Sequence, residues 1–167
     1  HGRWHGAAED LEILVETPHV DTQLAARART TIANLHLLAG RYDRAEEMFD
    51  EARVLAEGIG NPSTIARAVS GLGYVAFRSS KLAEAEAFYS RAIAIREKAQ
   101  GKENPALAQT LNNLAVLYRT QGNYRKAEEL FYRVIAIKEK VHGRDHLEVA
   151  TSLHNLANNH ASLGKYA

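Results

Sequence analysis

The phrase Gly-x-Tyr/Trp-x-x-Ala recurs along this 167-residue chain at nearly constant distance. It stands as Gly2-Arg3-Trp4-His5-Gly6-Ala7, Gly40-Arg41-Tyr42-Asp43-Arg44-Ala45 and Gly122-Asn123-Tyr124-Arg125-Lys126-Ala127, and again as Gly164-Lys165-Tyr166-Ala167. Ser80-Lys81-Leu82-Ala83-Glu84-Ala85 keeps the frame with altered residues. The intervals are 38, 40, 42 and 42 residues. A period of this size means a stacked array of similar units, not a globule closed around one core. It points toward binding and away from catalysis.

Each unit reads as two antiparallel helices joined by a short turn. In the most regular stretch, Leu107, Leu111, Leu114, Ala115 and Tyr118 recur at helical steps of three and four. Gly122 ends that helix, because glycine readily takes the left-handed conformation at a helix end. A second helix follows with Tyr124, Ala127, Leu130, Phe131, Val134, Ile135 and Ile137 as its apolar set. The turn His142-Gly143-Arg144-Asp145-His146 closes it, and Val149, Leu153, Leu156, Ala157 and His160 open the next unit. Good helix formers are abundant and there are only three prolines. The expected fold is therefore all-α.

Small residues occupy repeat-equivalent places: Ala33, Gly73, Ala115 and Ala157 on first helices, and Ala45, Ala85 and Ala127 on second helices. Helices approach closely only where side chains are small. Phe49, Tyr89 and Phe131 recur four residues after each second-helix alanine and are expected to fill the gap to the next unit.

The pattern Leu114-Ala115-x-x-Tyr118-x-x-x-Gly122-x-Tyr124-x-x-Ala127-x-x-x-Phe131 resembles the tetratricopeptide repeat. The 42-residue form, with Leu111-Asn112-Asn113-Leu114-Ala115-Val116-Leu117-Tyr118 and Ile135-Ala136-Ile137-Lys138-Glu139-Lys140, is most similar to the kinesin-light-chain type. Ala92-Ile93-Ala94-Ile95-Arg96-Glu97-Lys98 repeats the second signature, while Leu147 stands where that type usually has proline. The resemblance implies a right-handed α-α superhelix. It frames residues 1–20 as an orphan second helix (about Trp4–Thr17), 21–62, 63–104 and 105–146 as full repeats, and 147–167 as an orphan first helix. The chain opens and stops on the repeat phrase, which reads as a fragment of a longer protein with unsealed ends. End-to-end self-association through those ends is expected, because solenoids normally need polar caps.

In tetratricopeptide arrays the first helices line the concave surface, where partners usually bind. Carried over by position, the rows are Arg27, Thr31 and Asn34; Arg67, Ser70, Gly71 and Tyr74; Gln109, Asn112, Asn113 and Val116; and Thr151, His154, Asn155 and Asn158. Mid-helix asparagine is a poor helix former, yet Asn34, Asn113, Asn155 and Asn158 share this face. A side-chain amide can pair with both donors and acceptors of an extended peptide backbone. In the resembling family, asparagines matching Asn113 and Asn155 contact peptide; the alternative is that they bond one another or a neighbouring turn. Thr31 and Gly71 stand where that family favours asparagine. The first helices are mildly basic, with Arg27, Arg29, Arg67, Arg78 and Arg119 against Asp21 and Glu148, whereas the opening helix is acidic (Glu9, Asp10, Glu12, Glu16). A basic groove fits an acidic peptide, or a C-terminal carboxylate held by arginine.

Other chemistries find little footing. The net charge of +1 argues against the nucleic-acid backbone as main partner. The period also differs from that of RNA-reading helical repeats. No apolar run is long enough to span a membrane. Cysteine is absent, which removes thiolate chemistry and fits a cytoplasmic location. His142 and His146 lie four apart in a turn, with no zinc pattern around them. No nucleophile motif or phosphate-binding glycine loop appears, so neither an enzyme nor a cofactor or metal is expected. Two functions remain: a scaffold binding a short, extended, acidic peptide, or an architectural, self-associating spacer or sensor arm of a larger signalling protein.

Overall fold

The computed structural model describes Leu11, Ile13 and residues 21–164. Among them are seven helices and no strand: α1 (Thr22–Leu38), α2 (Tyr42–Gly58), α3 (Pro62–Arg78), α4 (Leu82–Gln100), α5 (Pro105–Thr120), α6 (Tyr124–His142) and α7 (Leu147–Ser162). The expected opening helix lies outside the described residues, apart from Leu11 and Ile13, which are helical. So do the phrase copy at Gly2–Ala7 and the last three residues of the copy at Gly164.

The first helix of each pair begins on a side-chain cap. The Asp21 carboxylate accepts from the Gln23 and Leu24 N–H groups at 2.9 and 3.0 Å. Asn61 accepts from Thr64 N–H at 3.1 Å, and Asn104 from Ala106 N–H at 2.7 Å. Pro62 and Pro105 follow in the first turn, where a missing N–H costs nothing. The helix at Leu147 starts differently: the imidazole Nδ1 of His146 accepts from Glu148 N–H at 3.1 Å. Each of these caps satisfies a helix donor that has no partner inside the helix.

The chain divides into two compact units, residues 1–95 and 96–167, with α4 running through the boundary. In the first unit Ile32, Ala33, Ala45, Met48, Phe49, Leu72 and Val75 form the core, flanked by Leu11, Leu37, Tyr42 and Phe88. The small-against-large packing is steep here. A Cβ added at Gly73 would lie 2.8 Å from the Tyr89 ring, and one at Gly71 only 2.4 Å from the Phe49 ring. Glycine at both places is what lets the aromatic of the second helix lie flat against the first helix beside it. Burial, and then Tyr74 nearby, push the Tyr89 phenol well above its ordinary pKa.

In the second unit Ala115, Ala127, Phe131, Ile135, Val149 and Leu156 form the core, with Val116, Tyr118 and Leu130 against it. Asn159 is fully buried and donates from Nδ2 to the Tyr124 carbonyl at 3.0 Å, tying α7 to the start of α6. Leu117, outside the apolar set expected for its helix, is also fully buried.

Two readings change with the structure in view. Leu153 is 48% exposed, although its counterpart Leu111 is fully buried, and Ala157 is exposed where Ala115 is buried. No described helix follows α7 to cover them. Glu128 is half-buried and meets His160, whose Nε2 lies 2.9 Å from its Oε1. His160 therefore does more than pack.

Candidate peptide-binding face

Most residues of the first-helix rows stand apart from the core, but Val116 packs against it and Gly71 lies against the Phe49 ring. On α3, Arg67, Gly71, Tyr74 and Arg78 fall within one narrow stripe at about 100° per residue, while Ala66, Ala68, Val69, Leu72, Gly73, Val75 and Ala76 are buried on the other side. Neither α1 nor α3 contains a single Asp or Glu.

In the first unit the arginines divide by partner. Arg29 is neutralised by Glu51 at 2.7 Å. Arg27 and Arg67, exposed on neighbouring first helices, make no ion pair among the described residues. The Arg67 guanidinium is held below its ordinary pKa, first by partial desolvation and then by the like charge of Arg27. Further along α3, the Arg78 guanidinium lies over the rings of Tyr42 (5.1 Å) and Tyr74 (5.9 Å) and donates to the Tyr74 hydroxyl at 3.2 Å. That hydrogen bond, then the nearby Tyr42 and Tyr74 phenols, raises its pKa.

Thr31 and Asn34 turn back to their own helix. Thr31 Oγ1 donates to the Arg27 carbonyl at 3.2 Å and Asn34 Nδ2 to the Thr30 carbonyl at 2.8 Å. Ser70 is half-buried. At position 71, where the resembling family favours asparagine, the Phe49 ring occupies the space a side chain would need.

The second unit gathers amides. Asn155 Nδ2 donates to Asn112 Oδ1 at 3.0 Å, joining α7 to α5. Gln109 Nε2 donates to Asn113 Oδ1 at 3.0 Å, one helical turn apart. Asn155 thus bonds Asn112, not Asn113, and Asn113 is met by Gln109. Each amide keeps one hydrogen-bonding half to spare. Thr151 bonds its own helix through the Leu147 carbonyl at 2.9 Å, and Asn158 and His154 are exposed. A cleft of about 180 Å³ opens beside Gln109, lined by Pro105, Ala108, Ile137, Lys138, Val141, His142 and Glu148.

The grouping of Arg78 with Tyr42 and Tyr74 is not among the residues picked out by position. Its signal is the four-residue step from Tyr74 to Arg78, which puts them on one face; Tyr42 comes from another helix and carries no such mark. Rings of His142 and His146 stack with centroids 4.5 Å apart, and no cluster of three or more metal-ligating side chains occurs among the described residues. No described helix is long and apolar enough to cross a membrane.

Comparison with known proteins agrees with this architecture. The tetratricopeptide repeat family matches residues 1–62, 64–140 and 127–167. The chain belongs to the tetratricopeptide repeat family. Its helices superpose on BtubC (BKLC) of P. vanneervenii with a TM-score of 0.85 at 21% identity, covering 99% of this chain and 68% of that one. A Podosopora anserina putative kinesin light chain with nearly identical TPR-like repeats gives 0.75 at 20%, covering 99% of this chain and 81% of that one. A signal transduction ATPase of Pyrococcus horikoshii, which carries a tetratricopeptide repeat sensor, gives 0.82 at 16%, covering 99% of this chain and 25% of that one. No curated protein matches the chain. At these identities the likeness shows the fold, that of kinesin-light-chain-like repeats; the matching family model is what suggests a protein-interaction scaffold.

Proposed function

We propose that the exposed face of the first helices binds a short, extended, acidic segment of a partner protein. The observation that carries this reading is the amide row of Gln109, Asn112, Asn113 and Asn155. Side-chain amides half-satisfied by one another keep a donor or an acceptor each, and an extended backbone needs both. In the first unit, the arginines of α1 and α3, without an acidic residue on either helix, give that unit's own first-helix face a preference for acidic groups. Fluorescence anisotropy with labelled acidic peptides tests it. Asn113→Ala combined with Asn155→Ala weakens binding about tenfold or more, as expected for removing two hydrogen-bonding partners, and added salt weakens it further. Unchanged affinity in the double variant would remove the amide row from the site.

A second reading rests on the outer face of α7, where Leu153 and Ala157 are exposed. Stacking between copies through this face would make the segment an architectural, self-associating element. Light scattering across a concentration series decides it: Leu153→Ser should abolish any concentration-dependent growth in mass.

A further inference from the structure

Among the described first helices, three start on one kind of cap and α7 on another. Asp21, Asn61 and Asn104 accept helix N–H groups through carboxylate or amide oxygens. Those oxygens accept unchanged from about pH 5 to about pH 8. At the equivalent place before α7 the acceptor is the imidazole Nδ1 of His146, 3.1 Å from the Glu148 N–H. A ring nitrogen accepts only while it carries no proton. This cap therefore needs a neutral ring with its proton on Nε2. Imidazole is the side chain that changes charge between about pH 5 and 8.

The surroundings oppose a charged ring in this position. The His142 ring at the end of α6 stacks on it, with centroids 4.5 Å apart and planes 18° apart. The first turn of a helix disfavours a cation. Lys138 of α6 already stands there, donating to the Glu148 carboxylate at 2.7 Å and to the Glu148 carbonyl at 3.3 Å. Glu148 would otherwise draw a charged His146 toward itself, but Lys138 occupies its carboxylate. The other charges around the turn are Glu139 of α6 with Arg144, 3.9 Å apart, and the exposed Asp145. The pull of Asp145 through water is small beside the loss of a helix cap.

Little else holds this end of α7. Leu147 is exposed, and no described helix covers the Leu153 face. The same helix carries Asn155, which bonds Asn112 at 3.0 Å. We propose that His146 is a proton-sensitive latch on α7, closed while its ring is neutral and open once the ring is charged. Acidification from about pH 8 to about pH 5.5 loosens the first turn of α7 and with it the Asn112–Asn155 bond. The latch does not depend on a peptide binding this face.

Amide hydrogen exchange followed by NMR on the 167-residue chain reads the latch directly. The Glu148 N–H bonds the ring itself, and the Val149 and Ala150 N–H groups bond the His146 carbonyl at 2.9 and 3.1 Å. At about pH 8 their protection should equal that of His146→Asn, whose amide caps without titrating. At about pH 5.5, corrected for the intrinsic exchange rate, it should fall about fivefold toward that of His146→Ala, while His146→Asn keeps its own. Glu148 stays ionised across this interval, since Lys138 holds its carboxyl below the ordinary range. The far end of α7 is the control: a charged His160 still donates to Glu128, 2.9 Å away, so protection there should not fall. A parent chain that keeps its first-turn protection at the lower pH overturns the latch. So does a His146→Asn chain that loses protection as steeply, or a loss that is uniform along α7.

Discussion

Ser80 occupies the glycine position of the repeat phrase, and it pays for that in backbone conformation. Its φ is 60°, whereas Gly40 and Gly122 in the equivalent turns take 74° and 75° without a Cβ to crowd the carbonyl. An L-residue in this region is disfavoured by about 1–2 kcal/mol. Ser80→Gly should therefore stabilise the chain by up to about 1 kcal/mol, reduced by the extra freedom glycine gives the unfolded state. A rise in the urea midpoint with unchanged slope is the expected result. The frame of the phrase made this position legible as a helix end even with serine in it. Arg78 was harder to place, because its tyrosine partners sit on two helices and only one shares its sequence register.

At the scale of the element, the alanine–aromatic ladder carries the packing. Ala127 and Phe131 are fully buried, and Leu114 nearly so, in the unit formed by α5, α6 and α7. Ala127→Leu has no space to enter and should cost roughly 1–3 kcal/mol by overpacking. Leu114→Ala leaves a cavity and should cost roughly 2–5 kcal/mol. Denaturant midpoints equal to the parent's in both variants would show that neither position closes a helix pair. These contacts could be read from residue spacing because they repeat: the same steric demand recurs wherever the same two helices meet. The amides of Asn112, Asn113 and Asn155 were legible as one face by the same arithmetic, but not their pairing, which depends on how far α7 sits from α5. Glu128 escaped for the same reason, since His160 reaches it from a different helix. Leu153 misled because its spacing is that of a core residue, while burial requires a neighbour as well as a pattern.

For the whole molecule, a repeat array is stabilised by local and nearest-neighbour contacts, so parts of it can weaken without the rest. The second unit has an acid-sensitive edge of this kind. Lys138 holds the Glu148 carboxyl below its ordinary range through a hydrogen bond, then its charge, with His142 and His146 adding smaller contributions. Lys140 does the same for Glu103. For a carboxylate whose folded pKa is depressed, the stabilisation is complete above its unfolded value, about 4.3 for glutamate. It is lost as pH falls through the folded value. Both pairs are exposed, so each contributes little and salt screens it. Their placement matters more than their strength: Lys138 on α6 reaches the first turn of α7 at 2.7 Å, and α7 already lacks a described neighbour on its Leu153 face. Lowering pH from 6 to 3 should therefore reduce amide-exchange protection in α7 before α5 or α6. Lys138→Met should flatten that pH dependence at Glu148. Loss of protection that is uniform across the three helices, or unaffected by Lys138→Met, would show that the Lys138–Glu148 pair does not hold this helix in place.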